Sequence, residues 1–395
     1  MMTHRISFLA VAAVAALFAP RLAADTEWIV TPKLSGSGRM LLHANRGTAT
    51  GKVPPVWMSY DLPGKGKKYG FLRIGNKGGL CFAGINEKGL AAAYTTGDPT
   101  DDPPPPPSIG NWSGHAAVVI ALRSVATADE ARALLHKAFK DRLIKGSMVV
   151  FFTDPRKAVI VECSPRHYAS WDLKDSYCIY SHMWKLPGMD DGSVRSAGSA
   201  EVCTMREWGV REGLRRVRTA DGKIPVAGSI AVSRLTPADL NTEEYRKQRG
   251  KPPVTYAPYN KNAQDSYLFE LDAEFPEFLS RVYIAFGPAR HTVYLPIALP
   301  ALKDLPAEIL DPEYFQGAMD RHNAAAPEVP VNGEIIGFEK KLHGEFETQC
   351  DKARDLLMAG KTAEAAKLLT DTAHKQAAET LEFLRGLKKE GSKEK

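Results

Sequence analysis

Short apolar runs separated by Gly, Pro and Asp recur between residues 26 and 335 of this 395-residue chain. Runs of this length that are rich in Val, Ile and Tyr and bounded by turn residues predict β-strands. The predicted strands are Trp28–Thr31, Met40–Ala44, Tyr69–Ile74, Leu80–Ile85, Leu90–Thr95, His115–Leu122, Met148–Thr153, Ala158–Cys163, Tyr177–Ser181, Ser266–Leu271, Val282–Phe286 and Val293–Ile297. A hydrophilic connector from Thr48 to Lys68 lies between the second and third of them.

Helical periodicity marks a smaller set of segments. Thr127 and Glu130 form a capping box that begins one helix, and a second helix is predicted over Cys203–Val217. From Ile335 an apolar residue recurs every three to four positions, and the stripe resumes after Gly360 and Thr362, which predicts a helical hairpin. Two helices cannot bury their own stripe, so the hairpin should pack on the main domain or on a second copy of the chain.

The first 24 residues have the pattern of a signal peptide. His4 and Arg5 precede the apolar run Phe8–Ala19, and Leu22-Ala23-Ala24 offers small residues at a cleavage point. This predicts export to the periplasm or the extracellular space, with an uncleaved anchor as the alternative. Cleavage after Ala24 leaves 371 residues (395 minus 24), divided into a main domain over 25–334 and the hairpin with a basic tail over 335–395.

The composition limits the kinds of partner that we expect for this chain. Hydrophobic content of 44% and charged content of 25% are typical of a globular protein. The net charge of +6 is spread along the chain and enriched at its end in Lys388, Lys389, Lys393 and Lys395. Basic tails are usually solvated ends, so we expect no nucleic-acid binding, and no later segment is apolar enough to predict a membrane span in the mature chain. The five cysteines include no Cys-x-x-Cys pair, and an odd count leaves at least one thiol unpaired; a Cys163–Cys178 disulfide is permitted but not assigned.

Other segments suggest loops rather than sites. The run Pro103–Pro107 predicts a stiff surface loop, and the polar stretch Asn241–Asn262 predicts a long excursion near a pocket or at an edge. No His-Glu-x-x-His sequence, paired His/Cys spacing or Gly-rich phosphate loop occurs. We therefore expect no metal and no cofactor.

Two polar motifs at strand ends carry the most specific information. Asn45-Arg46-Gly47 ends one predicted strand, and Asn86-Glu87-Lys88-Gly89-Leu90 lies between two others. Their order and spacing resemble the N-terminal-nucleophile hydrolases related to acyl-coenzyme A:6-aminopenicillanate acyltransferase, choloylglycine hydrolase and penicillin V acylase. The resemblance implies an α+β fold, a four-layer αββα sandwich of two antiparallel sheets, here followed by the helical hairpin.

The resemblance also implies a catalytic constellation at the mature N-terminus. In these relatives a Cys, Ser or Thr at that position attacks an amide, and its free α-amine moves the proton. Here Asp25 stands at that position, Thr26 would replace it only after trimming by one residue, and Arg46 would orient the attacking group. Gly47 stands where the relatives have an Asp.

The remaining site residues follow from the same comparison of motifs. Oxyanion and substrate contacts are expected from residues near the middle of the chain: Thr95, Thr96, Ser181, His182 and Arg206. Asn45, Asn86 and Gly89 are expected to serve structure, since Asn and Gly favour tight turns.

These observations leave two main functions open. The chain is either an exported hydrolase or acyltransferase acting on amide bonds of small molecules or short peptides, or a catalytically inactive ligand-binding or scaffold protein with the same fold. A structural protein of the cell envelope that assembles through the hairpin is a third hypothesis, supported by the apolar stripe alone.

Overall fold

The computed structural model describes residues 25–47, 57–64, 66–76, 79–100, 112–189, 197–243, 256–259, 263–310, 312–325 and 331–390. Within these ranges the chain forms two antiparallel sheets. The first sheet has the order β10-β1-β2-β11-β12-β13, and the second has the order β3-β4-β5-β6-β7-β8-β9. The strands are β1 Thr26–Val30, β2 Met40–Gly47, β3 Trp57–Asp61, β4 Phe71–Gly75, β5 Cys81–Asn86, β6 Ala91–Thr96, β7 Met148–Thr153, β8 Ala158–Cys163, β9 Tyr168–Leu173, β10 Tyr177–Tyr180, β11 Ala263–Leu271, β12 Arg281–Phe286 and β13 Leu295–Ala298.

The helices of the described part are distributed over both outer faces and the C-terminal end. They are α1 Gly114–Ser124, α2 Ala128–Lys140, α3 Ala197–Arg216, α4 Val226–Ser233, α5 Pro237–Leu240, α6 Pro276–Leu279, α7 Pro312–Ala324, α8 Gly333–Met358 and α9 Thr362–Glu390. Short 3₁₀ turns occur at Ala289–His291, Leu299–Lys303 and Ala307–Leu310.

Three apolar cores separate four layers. The largest core lies between the two sheets and combines Leu42 and Phe269 of the first sheet with Ile85 and Phe151 of the second. A second core buries α1 and α2 against the outer face of the second sheet, and a third buries α3 and α4 against the outer face of the first. This arrangement confirms the predicted α+β sandwich of two antiparallel sheets with helices outside both.

The C-terminal helices α8 and α9 pack against each other and against the main domain. Ile335, Leu342, Ala377 and Leu384 join the core between the sheets, and Phe346 joins a further cluster with Leu279 and Ala298. The apolar stripe is therefore covered within the chain, the first of the two possibilities that the pattern allowed. The pair closes the end of the first sheet next to β13.

Strand alternation fixes which side chains of β1 and β2 share a face. Ile29 and Leu42 point into the core between the sheets, whereas Trp28 and Leu41 point towards the outer helices. Successive side chains of a strand face opposite sides, so Asp25 and Glu27 lie on the inner side with Ile29. Thr26 lies on the outer side with Trp28.

Several predicted elements are corrected by the structure. The segment His115–Leu122 is not a strand but most of helix α1, which Ser113 caps by accepting a hydrogen bond from the Ala116 N–H. A short apolar run does not distinguish a buried helix from a strand, which explains the error. The hydrophilic connector contains strand β3, strand β9 was not predicted, and α3 begins before Cys203.

Two further predictions concern the cysteines and the segments that lie outside the described residues. All five cysteines are buried free thiols, so Cys163 and Cys178 do not form a disulfide. The leader over residues 1–24, the proline run, residues 244–255 of the predicted excursion and the last five residues lie outside the described part of the chain.

Candidate active site

A row of polar side chains crosses the inner face of the first sheet at the start of β1. In the β1–β2 register Thr26 faces Asn45, so Asp25 lies across from Arg46, and Arg46 faces Asp265 of β11. His182, which follows β10, contacts Asp25 from the other side. Four ionisable groups from four segments of the chain therefore lie side by side at one end of the sheet.

The Asp25 carboxylate is held from the neighbouring strand. Its Oδ1 accepts a hydrogen bond of 2.9 Å from the Gly47 N–H, and its Oδ2 lies 3.9 Å from Nε2 of His182. The side chain is only 12% exposed. A main-chain donor thus occupies the place where the resemblance expected an orienting Asp side chain.

His182 has both ring nitrogens engaged. Its Nδ1 donates to the Thr96 carbonyl at 3.1 Å and lies 3.3 Å from Thr95 Oγ1, while its Nε2 accepts from the Asp25 N–H at 3.0 Å. Burial lowers the pKa of His182, an effect that Asp25 partly offsets. The backbone of His182 has a φ of 52°, a conformation that non-glycine residues adopt rarely and that occurs preferentially at functional sites.

Ser181 and Arg206 complete the set near Asp25. Ser181 Oγ donates to the Asp25 carbonyl at 3.1 Å, and the Ser181 N–H donates to Glu207. Arg206, on α3, is 8% exposed, and its Cζ lies 5.9 Å from the ring centre of Tyr256. Burial lowers the pKa of Arg206, and the negative charge of Asp25 is close enough to oppose that change.

The Arg46 side chain contacts residues of both sheets. Its Nε lies 3.2 Å from Oδ2 of Asp265, and its guanidinium stacks on Phe82 at 3.2 Å from the ring centre. Burial raises the pKa of Asp265, and the Arg46 charge opposes that rise. The ion pair between Arg46 and Asp265 holds the Arg46 side chain in place beside Asp25.

Thr26 lies away from this constellation. It is fully buried, its Oγ1 has no hydrogen-bond partner in the described structure, and it faces the outer helices. Trimming by one residue would therefore present the Thr26 hydroxyl on the opposite face of β1 from Asp25. The structure brings Asp25, Thr95, Thr96, Ser181 and His182 together but leaves Thr26 apart.

The three residues expected to serve structure are also separate from Asp25. Asn45 lies on the outer face, where its Nδ2 donates to the carbonyls of Ser233 and Pro258 and its Oδ1 accepts from Ser266. Asn86 donates to two carbonyls at the α1–α2 junction, and Gly89 turns the chain with a φ of 83°. Gly89 precedes β6 and Thr96 ends it, so the two lie roughly 20 Å apart at about 3.3 Å per residue.

A second polar row, which the sequence did not lead us to predict, lies beneath Asp25. Glu27 is 1% exposed, and its Oε2 has no hydrogen-bond partner among the described residues. Its cross-strand neighbours are Tyr180 and Ala44, and Ala44 faces Tyr267 on β11. Burial, and then the charge of Asp25, raise the pKa of Glu27 well above its ordinary value. A carboxyl two residues after Asp25 was detectable, because strand alternation puts positions 25 and 27 on one face.

The described residues contain neither a metal-binding cluster nor a membrane-spanning helix. Within the described ranges, no group of three or more His, Cys, Asp and Glu side chains is arranged to bind a metal ion. No described helix combines the length and apolar character needed to span a bilayer.

Comparisons with known proteins give likeness at the level of structure. No protein-family model matches the sequence, and the curated protein sequences return no match. The structure is similar to penicillin V acylase from Agrobacterium tumefaciens at 12% identity and a TM-score of 0.39, over 69% of this chain and 86% of that one.

Two further solved structures show a comparable likeness. A variant of conjugated bile acid hydrolase from Clostridium perfringens aligns at 11% identity and a TM-score of 0.42, over 70% of this chain and 94% of the other. The Caenorhabditis elegans ortholog of N-acylethanolamine-hydrolyzing acid amidase aligns at 10% identity and a TM-score of 0.36, over 62% and 91%. Penicillin V acylase, in the first of these structures, is among the relatives that the motifs of this sequence resemble.

Proposed function

We propose that this chain binds a small amide or short peptide at the Asp25 site and does not hydrolyse it. The observation that carries the proposal is the chemical identity of the side chain at the start of β1. A carboxylate, fixed by the Gly47 N–H, occupies the position where the resemblance expects an attacking thiol or hydroxyl.

A carboxylate is a poor substitute for that group. The usual nucleophile is activated when a base removes its proton, and an ionised carboxylate has no proton to give. Attack by a carboxylate on an amide is also much weaker than attack by a thiolate. The change of residue therefore removes the first step of amide hydrolysis.

Neither Thr26 nor Ser181 offers a hydroxyl placed like the missing group. The Thr26 hydroxyl faces the outer helices, and the Ser181 hydroxyl donates to the Asp25 carbonyl. All five cysteines are buried, and burial raises the pKa of Cys81 and Cys178 to about 12. A buried thiol that holds its proton is inert towards amides.

The charges at the site suit a ligand with an N–H donor and a carboxylate. The Asp25 carboxylate accepts hydrogen bonds from amide or ammonium groups. The nearby Arg206 guanidinium carries a positive charge that attracts a carboxylate. An N-acyl amino acid or a dipeptide carries both groups.

Calorimetric titration of the purified chain with N-acyl amino acids and dipeptides tests this proposal. We expect saturable binding that weakens about tenfold or more in Asp25→Asn and in Arg206→Gln, since each loses a charge-assisted hydrogen bond. Asp355→Asn, at an exposed helix position, and Arg218→Gln are the matched controls. Affinities that are equal in all variants would contradict a binding role for Asp25 and Arg206.

A second candidate is amide hydrolysis by the processed chain. The observation that favours it is the 3.0 Å contact between the Asp25 nitrogen and His182 Nε2. If the leader is removed after Ala24, this nitrogen becomes an α-amine with an ordinary pKa of about 7.7–8.0, beside an imidazole that accepts its proton. Release of amine from an acylated substrate, lost in His182→Gln but kept in Asp25→Ala, which retains the α-amine, would establish this function.

We also propose that the chain is exported after its leader is removed. The charged and apolar pattern of residues 1–24 supports removal of a leader and a mature chain that begins at Asp25. Intact mass and N-terminal sequencing of protein recovered from outside the cytoplasm check the start. A chain that retains residues 1–24 would contradict export with cleavage.

A further inference from the structure

Arg321 presents two buried nitrogens without partners. It lies near the end of α7, and its Nε donates to the His291 carbonyl at 2.8 Å, which fixes the plane of the guanidinium. Its Nη1 and Nη2 are shielded from solvent and make no hydrogen bond in the described structure. Buried donors left unpaired are unfavourable and rare in folded proteins, so such a pair indicates a missing partner.

The surroundings of Arg321 are basic and aromatic. The rings of His291 and His322 lie 5.3 Å apart in an edge-on contact, and Nδ1 of His322 is 2.7 Å from the Tyr259 hydroxyl. Arg290 lies over the Tyr259 ring at 5.7 Å. Arg290, His291 and His322 therefore lie around one tyrosine.

Two acidic side chains lie near these arginines. Asp239 is paired with Arg290 at 2.7 Å, and Asp320 is the carboxylate that acts on Arg321. Burial lowers the pKa of Arg321 to about 10, and burial together with His322 and the two arginines lowers the pKa of His291 to about 3. The protonated form of each side chain is therefore less favourable here than in solution.

We propose that Arg321, His291 and His322 form a binding site for a carboxylate group. The two Nη groups of a guanidinium match the two oxygens of a carboxylate in a planar fork, and the fixed Nε leaves this edge available. Gly317, one helical turn earlier, keeps the edge clear, since a Cβ at that position would lie 3.4 Å from Nη1. The half-buried rings of His291 and His322 form the side through which the anion enters.

The carboxylate site adjoins the Asp25 site but does not depend on it. Tyr256 contacts Arg206, and Tyr259, three residues later, contacts His322. Three residues span at most about 11 Å, so one short segment borders both sites. The site uses none of the residues proposed to bind the amide ligand.

Titration with acetate, and separately with phosphate, at constant ionic strength tests the carboxylate site. We expect saturable acetate binding that falls about tenfold or more in Arg321→Gln and less in Arg321→Lys, which keeps the charge but loses the fork. Arg206→Gln should retain the acetate binding, which separates this site from the proposed amide site. Arg218→Gln, at an exposed position just after α3, is the arginine control.

Nuclear magnetic resonance of the wild-type chain gives a second readout that needs no variant to fold. Acetate should shift the side-chain nitrogen signals of Arg321, His291 and His322 along one saturable curve. Absence of these shifts would overturn the proposal. Binding of phosphate without acetate, or unchanged acetate affinity in folded Arg321→Gln, would overturn it as well.

Discussion

Asp25 and Glu27 face the same side of β1 but have different surroundings. Asp25 accepts a hydrogen bond from Gly47 and contacts His182, whereas Glu27 keeps an oxygen without a partner and lies almost entirely out of solvent. Burial and the charge of Asp25 raise the pKa of Glu27, and Arg46 opposes this effect only in part. One carboxyl is therefore a hydrogen-bond acceptor at the site, whereas burial raises the pKa of the other beneath it.

The raised pKa of Glu27 predicts a pH-dependent stability. A carboxyl whose folded pKa lies above its ordinary value of 4.5 binds more protons folded than unfolded, so the free energy of unfolding falls as pH rises above about that value. The slope is at most about 1.4 kcal/mol per pH unit for one group. We expect Glu27→Gln to remove this component in urea unfolding between pH 5 and 8.

An exposed carboxyl provides the comparison for that experiment. Glu382→Gln, at an exposed position on α9, should keep the wild-type slope. If Glu27→Gln and wild type show parallel pH profiles, Glu27 ionises normally and the account of this row is wrong.

His182 gives a second prediction at the scale of the residue. Its contacts require a neutral ring with the proton on Nδ1, which donates to Thr96, and a bare Nε2, which accepts from Asp25. Long-range nitrogen–proton correlation spectra at pH 6.5 should show this tautomer, because burial lowers the pKa. Asp25→Asn should lower the pKa of His182 further, since the Asp25 charge raises it. A protonated ring at neutral pH would contradict the assigned contacts.

Among the elements, β1 and β2 show what the sequence could predict. Alternation along Thr26–Val30 and the polar end of β2 follow from the residue pattern, and the motif resemblance led to Asp25, Arg46 and His182. The pattern could not show that Gly47 supplies a main-chain donor in place of an Asp, or that α7 comes close to the turn at Ala289–His291. Those contacts join residues far apart in the chain.

Helix α1 is an element whose type the sequence pattern did not predict correctly. Its sequence from His115 to Leu122 is apolar throughout the middle, because the helix is buried against the second sheet, and so it lacks a polar face that would reveal its period. The hairpin α8–α9 was predicted well because its exposed faces are polar. Periodicity therefore predicts half-exposed elements better than buried ones.

Helix α8 is held to the main domain by a buried ion pair. Arg234 donates to both oxygens of Glu339 at 2.9 and 2.7 Å, and the Tyr294 N–H also donates to Glu339. Removing one partner of a buried pair typically costs about 3–5 kcal/mol. We expect Glu339→Gln to lower the free energy of unfolding by that order in urea denaturation.

Glu345 on the same helix is the matched control. It lies in exposed ion pairs with Lys341 and Lys375 at 3.7 Å, so Glu345→Gln should change stability by about 0.5 kcal/mol or less. Equal effects of the two substitutions would mean that the buried pair does not anchor α8.

Across the whole molecule, the two sheets and the C-terminal helices share one core. Ala373, Ala377 and Leu381 of α9 belong to the same cluster as residues of both sheets, and the Tyr314 hydroxyl of α7 donates to the Ala377 carbonyl. A hairpin packed in this way should not open on its own. The shared core ties it to the domain that holds Asp25.

Hydrogen exchange measures that coupling. We expect the slowest amides of α9 and of β12 to exchange with the same free energy, since both require global unfolding. Exchange in α9 that is much faster than in β12, at a pH where both are stable, would show an independently folding hairpin.

The central claim is that Asp25 binds an amide ligand and does not attack it. One calorimetric experiment tests both parts, with an N-acyl amino acid injected into the chain that begins at Asp25. We predict a saturable heat of binding that returns to baseline after each injection and weakens about tenfold or more in Asp25→Asn. A continuing heat of turnover with release of free amine, abolished in Asp25→Ala, would contradict the claim.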